Sequence, residues 1–95
     1  MYEISSEIYK KAALRLCDQV GDSDYFSGTI TFVHEEVECR MLLSIIIYHK
    51  RVEMPEGSFE TIEDVVPVWW EFHTEIDGEE QINDFDFSLF KGYLL

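Results

Sequence analysis

Three features are scarce in this 95-residue chain: positive charge, cysteine and long apolar runs. Seven Lys and Arg stand against twenty Asp and Glu, which gives a formal net charge of -13. A protein of that charge repels nucleic acid phosphates and anionic membranes and attracts basic proteins. The sequence therefore argues against direct binding to nucleic acid or to a membrane, and it favours a basic protein partner.

The shortage of positive charge is concentrated in the C-terminal half of the chain. Residues 52–90 contain no Lys or Arg. The same stretch contains twelve acids: Glu53, Glu56, Glu60, Glu63, Asp64, Glu71, Glu75, Asp77, Glu79, Glu80, Asp84 and Asp86. We expect this half to select the partner by charge.

The longest apolar cluster, residues 41–48, is much shorter than the roughly 20 residues that cross a bilayer. Ser44 also interrupts it. Residues 1–6 have neither the basic start nor the apolar stretch of a secretory signal. These observations predict no membrane span and a cytoplasmic location.

The two cysteines, Cys17 and Cys39, have no CxxC or CxxH neighbours that would indicate a zinc or redox site. We predict that both are reduced and serve as small core residues, because intracellular chains normally keep their thiols reduced. No cofactor is expected.

Apolar residues make up 46% of the chain and aromatic residues 15%, which is too much for a disordered protein. The length predicts a single domain spanning residues 1–95.

Ser5 and Ser6 are suitable N-caps for a first helix that Gly21 ends. Its apolar stripe consists of Tyr9, Ala13, Leu16, Cys17 and Val20.

The region after the first helix reads as a loop over residues 21–28, with Tyr25 and Phe26 as core anchors. From Thr29 the period changes to two, which predicts a strand, a turn near Glu35 and Glu36, and a long second strand from Val37. Pro55 and Gly57 break that second strand.

Residues 58–67 are interpreted as a loop, which could include a helical turn capped by Thr61 and Asp64. The second half of the predicted sheet begins after this loop. A third strand covers residues 68–76. Asp77 and Gly78 then predict a type I′ hairpin turn to a fourth strand over residues 79–85. Residues 86–95 form a short helix capped by Asp84 or Asp86. The predicted fold class is α+β, with an N-terminal helix packed on a four-stranded antiparallel meander and a short C-terminal helix.

The side of the sheet away from the first helix carries an unusual mixture of apolar and acidic residues. Strand alternation puts Trp70 on the helix-covered side and Trp69 on the other. The residues predicted to share the second side, and to bind a partner, are Leu42, Ile46, Tyr48, Trp69, Glu71, His73 and Glu75. A protein partner, a second copy in a homodimer, or the C-terminal segment could cover this side.

The leading interpretation is a non-enzymatic interaction module: an adaptor, chaperone or inhibitor that binds through this side of the sheet. An alternative is a nucleic-acid mimic whose carboxylates imitate phosphates and occupy the cleft of a basic protein. Binding by a mimic should weaken steeply with salt, whereas binding through an apolar surface should tolerate salt.

A third alternative is a small metal-dependent protein or enzyme that uses Glu71, His73 and Glu75, which share one strand face at a spacing of two. A second polar group, His34, Glu35, Glu36 and Glu38, is interpreted as a charged hairpin tip because adjacent strand residues point to opposite faces. No nucleotide-binding, zinc-protease or nucleophile-elbow motif is present. We therefore predict no enzymatic activity and no metal site.

Overall fold

The computed structural model describes residues 4–95 and shows one sheet with two helices packed against it. In chain order the elements are α1 (Ser6–Val20), β1 (Tyr25–His34), β2 (Val37–Met54), β3 (Gly57–Ile76), β4 (Glu79–Asn83) and α2 (Phe87–Leu94). The strands form one antiparallel sheet in the order β1-β2-β3-β4. The predicted α+β architecture is confirmed.

The prediction about a secretory signal falls partly on residues 1–3, outside the described residues. Within residues 4–95, no helix is long and apolar enough to cross a membrane.

Helix α1 begins and ends where the sequence predicted. The Ser5 side chain accepts a hydrogen bond from the Ile8 N–H at 3.4 Å, and Gly21 ends the helix with φ 56°. Cys17, however, is exposed, so its predicted place in the core is wrong, whereas Cys39 is buried; both thiols are free. The buried stripe includes Ile8 and Ala12, which move its centre away from the Cys17 side of the helix.

Strand β1 starts earlier than predicted, at Tyr25, because this residue already pairs with Ile46 of β2. The loop therefore covers only residues 21–24. Phe26 packs partly buried against the core, but Tyr25 is exposed on the other side of the sheet and is not a core anchor.

Strand β3 is much longer than predicted, because residues 58–67 are strand and not loop. After a turn at residues 55–56 they pair with the distal part of β2. Two register shifts accommodate them: Trp69 pairs with Ser44 while Pro67 pairs with Ile45, so Val68 is an extra residue on β3, and a second shift follows Tyr48. Such bulges are where a strand tolerates proline. The helical turn capped by Thr61 and Asp64 does not form.

Strand β4 ends at Asn83, two residues before the predicted end, since Phe85 turns into the core, where its ring stacks on Phe72 at 4.9 Å. Asp86 then caps α2 by accepting from the N–H groups of Ser88 at 2.9 Å and Leu89 at 3.3 Å. The Tyr9 hydroxyl of α1 accepts a hydrogen bond from the Asp86 N–H at 3.0 Å.

Both helices lie on the same side of the sheet. Phe87 and Phe90 of α2 belong to the core cluster that contains the buried face of α1 and the inward side chains of the strands. The C-terminal segment therefore covers the helix side of the sheet. The other side, which we call the open face, is covered by no element of residues 4–95.

Candidate functional site

The open face is built by strand alternation, which sends every second side chain of each strand away from the helices. Along β2 the inward residues from Val37 to Ile47 are buried, while the alternate residues are exposed or half-buried. Large apolar side chains exposed on the open face include Tyr25, Val33, Ile46, Tyr48, Val66, Trp69 and Ile82. Monomeric proteins rarely leave so many large apolar side chains together on one face.

Five of the side chains just named lie toward one end of the open face, whereas Val33 and Ile82 lie at the other. Tyr25, Ile46 and Val66 form one row across three strands, because Ile46 pairs with both of the others. Trp69, 46% exposed, pairs with Ser44 next to this row, and Tyr48, 50% exposed, follows Ile46 along the same side of β2. We call Tyr25, Ile46, Tyr48, Val66 and Trp69 the apolar patch.

Of the residues predicted for this side, the structure brings Ile46, Tyr48 and Trp69 into the apolar patch and places Leu42, half-buried, beside it. Tyr25 and Val66 were missed because both fell in segments interpreted as loops. The β-branched and aromatic content of those segments was the signal that could have identified them.

The opposite end of the open face is acidic. Glu38 pairs with Glu75, and Glu75 pairs with Glu80, so three carboxylates occupy one row across β2, β3 and β4. Glu71 lies two rows away, opposite Leu42. We call Glu38, Glu71, Glu75 and Glu80 the acidic end.

His73 lies within the acidic end, and carboxylates contact both of its ring nitrogens. Its Nε2 is 3.1 Å from Glu71 Oε2 and its Nδ1 is 3.2 Å from Glu80 Oε1. Arg40 forms an ion pair with the same Glu80 carboxylate. Because Glu71 and Glu80 meet opposite sides of the ring, they do not converge with His73 on a common point.

Glu75, the third residue of the predicted metal cluster, is joined to Glu38. The hydrogen bond between the two carboxyls, reinforced by repulsion from the Glu38 charge, raises the pKa of Glu75. A pocket of about 330 Å³ lies here, lined in part by Glu38, Glu75, Arg40 and His73. Within residues 4–95, no three His, Cys, Asp or Glu side chains are grouped so that they could hold a metal ion.

The interpretation of residues 34–38 as a charged hairpin tip is wrong for His34. Glu35 and Glu36 form an exposed turn, but His34 continues the inward alternation of Ile30 and Phe32 and is buried. Its Nε2 lies 3.9 Å from Glu7 Oε2 and 3.8 Å from Glu35 Oε2. Its Nδ1 has no hydrogen-bond partner among the described residues.

Comparison of the chain with known proteins finds no matching family model, curated protein or solved structure.

Proposed function

We propose that this protein is a non-enzymatic interaction module, an adaptor, chaperone or inhibitor, that binds a protein partner through the open face. The observation that carries the proposal is the exposure of the apolar patch while both helices, including the C-terminal segment, lie on the other side of the sheet. The C-terminal segment, which could have covered the apolar patch, packs on the helix side of the sheet instead.

Trp69 is the expected anchor of the interaction. Aromatic residues near the centre of an interface supply most of the binding energy, and surrounding contacts exclude water. Trp69 is flanked by Ile46 and Val66 of the apolar patch on one side and by the acidic end on the other. An apolar centre with a charged rim is the usual anatomy of a protein interface.

A capture experiment from a lysate of the source organism tests the proposal. The bait is the wild-type chain, with Trp69→Ala and Leu14→Ala as parallel baits. Leu14 is a suitable control because it is an exposed apolar residue of α1, on the side of the sheet opposite the open face. We expect one protein to be retained by the wild type and by Leu14→Ala at high salt, and to be lost with Trp69→Ala.

Two results would contradict the proposal. A protein captured equally by all three baits would show that binding does not involve the apolar patch. A nucleic-acid-handling protein that is released by high salt and is indifferent to Trp69→Ala would favour mimicry of nucleic acid instead, since binding through charge alone is screened.

A further inference from the structure

We infer that the partner presents a basic, extended segment, with an apolar anchor on Trp69 and an Arg or Lys side chain at the Glu38–Glu75 pair. This inference rests on the proposed function and names the chemistry of the partner. It is carried by the arrangement of apolar and acidic residues along a single strand.

The acidic end carries an excess of negative charge. Arg40, the cation two residues from Glu38 on the same side of β2, is already paired with Glu80. His73 is held between Glu71 and Glu80. Glu38 and Glu75 are left facing each other across β2 and β3. A guanidinium or ammonium group placed between them would replace a repulsion with two attractions.

Trp69 and the Glu38–Glu75 pair are separated along the direction of β3. Trp69 and Glu75 lie on the same face of β3, six residues apart. A strand rises about 3.3 Å per residue, so their side chains are about 20 Å apart along the sheet. An extended segment that runs along β3 would therefore meet both sites with residues six positions apart.

A second copy of the chain is a poor occupant of the open face. Each copy carries a formal net charge of -13. A two-fold axis would place each acidic end against either the other acidic end or the other apolar patch. The first arrangement opposes like charges, and the second buries carboxylates without partners, which is costly. A basic segment avoids both penalties.

Peptide display on the folded, full-length chain tests the inference. The probe is a library of random peptides about 12 residues long, enough to span both sites when extended. We expect enriched peptides to carry an aromatic or leucine residue and an Arg or Lys six positions apart. The affinities of the enriched peptides, synthesised singly, are then measured by fluorescence anisotropy.

The variants compared are Trp69→Ala, the double variant Glu38→Gln/Glu75→Gln, and a control, Glu53→Gln/Glu56→Gln. The control removes the same number of charges from exposed residues at the far end of β2 and its turn. We expect the first two to weaken binding about tenfold or more, and the control to change it little.

Each contrary outcome has a distinct meaning. Peptides that depend on Trp69 but bind Glu38→Gln/Glu75→Gln as tightly as wild type, or that lack basic residues, would overturn the inference and leave the proposed function standing. Peptides indifferent to Trp69→Ala, or a library without binders, would overturn both. A dimer detected by sedimentation equilibrium and abolished by Trp69→Ala would identify a second copy as the occupant.

Discussion

Trp69 and Trp70 are neighbours in the chain and lie on opposite faces of the sheet. Trp70 turns toward the helices, where its indole Nε1 donates a hydrogen bond to the Phe85 carbonyl at 3.1 Å and its ring lies 5.2 Å from that of Phe87. Trp69 turns toward the open face and pairs with Ser44. The two residues therefore allow packing and partner binding to be tested separately.

Replacing each tryptophan with alanine should affect stability unequally. Trp70→Ala should lower the free energy of unfolding by about 2 to 3 kcal/mol, because it removes a ring contact and a hydrogen bond at a site that is 37% exposed. Trp69→Ala should cost about 1 kcal/mol or less. Urea denaturation measures both values, and a larger loss for Trp69→Ala would mean that Trp69 is the structural residue of the two.

The Glu38–Glu75 pair should make stability depend on pH. The pKa of Glu75 is raised above its usual value of 4.5. Between the unfolded-state pKa and the folded-state pKa, the folded protein therefore binds more protons than the unfolded protein, and the free energy of unfolding falls as pH rises through this range. Glu75→Gln should melt at a higher temperature than wild type near neutral pH, and the difference should shrink below about pH 4. Glu53→Gln is the control, and a difference that stays constant with pH would contradict this prediction.

Substitutions in the turn between β1 and β2 should stabilise the fold. Glu35 and Glu36 have φ values of 48° and 67°, the left-handed region that costs an ordinary residue about 1 kcal/mol. Glu35→Asn/Glu36→Gly supplies the residues that a type I′ turn prefers and should stabilise the fold by about 1 kcal/mol. The turn at Asp77 and Gly78 provides the converse test, since Gly78→Ala should destabilise. A loss of stability in the first variant would contradict the assigned turn.

Lys91 should hold the pKa of Asp64 below its usual value of 3.8. Lys91 Nζ lies 2.5 Å from Asp64 Oδ1, and the Val65 N–H donates to the same oxygen at 2.9 Å. The lowered pKa contributes stability that is present above the unfolded-state pKa and is lost as pH falls through the folded-state value. Lys91→Met should raise the pKa of Asp64 part of the way back toward 3.8, as measured by NMR titration. Lys10→Met should leave this pKa unchanged. An unaltered value in Lys91→Met would show that Val65 alone sets the shift.

The elements that could be predicted from the sequence are those with local signals. The Ser5 cap, the Gly21 stop and the Asp77–Gly78 turn each act within a few residues, and strict alternation along β2 identifies its buried side. Residues 58–67 of β3 could not be predicted in the same way. Their Pro and acids argue against a strand, and they become one only through distant pairing with β2 and through bulges that absorb the extra residues.

The candidate site was predictable in part for the same reason. Alternation alone assigns Trp69, Ile46 and Tyr48 to one face, but Tyr25 and Val66 join them only once the true strand bounds are known. The position of α2 was also undetermined, since its apolar residues suit either side of the sheet. Contacts across the whole chain decide it, notably the hydrogen bond from the Asp86 N–H to Tyr9.

The role of the open face is tested most directly by isothermal titration of the captured partner against wild type, Trp69→Ala and Leu14→Ala. We predict that Trp69→Ala weakens the affinity by about 30-fold or more, as the loss of an interface anchor should, while Leu14→Ala binds like wild type. Equal affinity for all three proteins, with Trp69→Ala folded, would contradict the assignment of the open face as the binding surface.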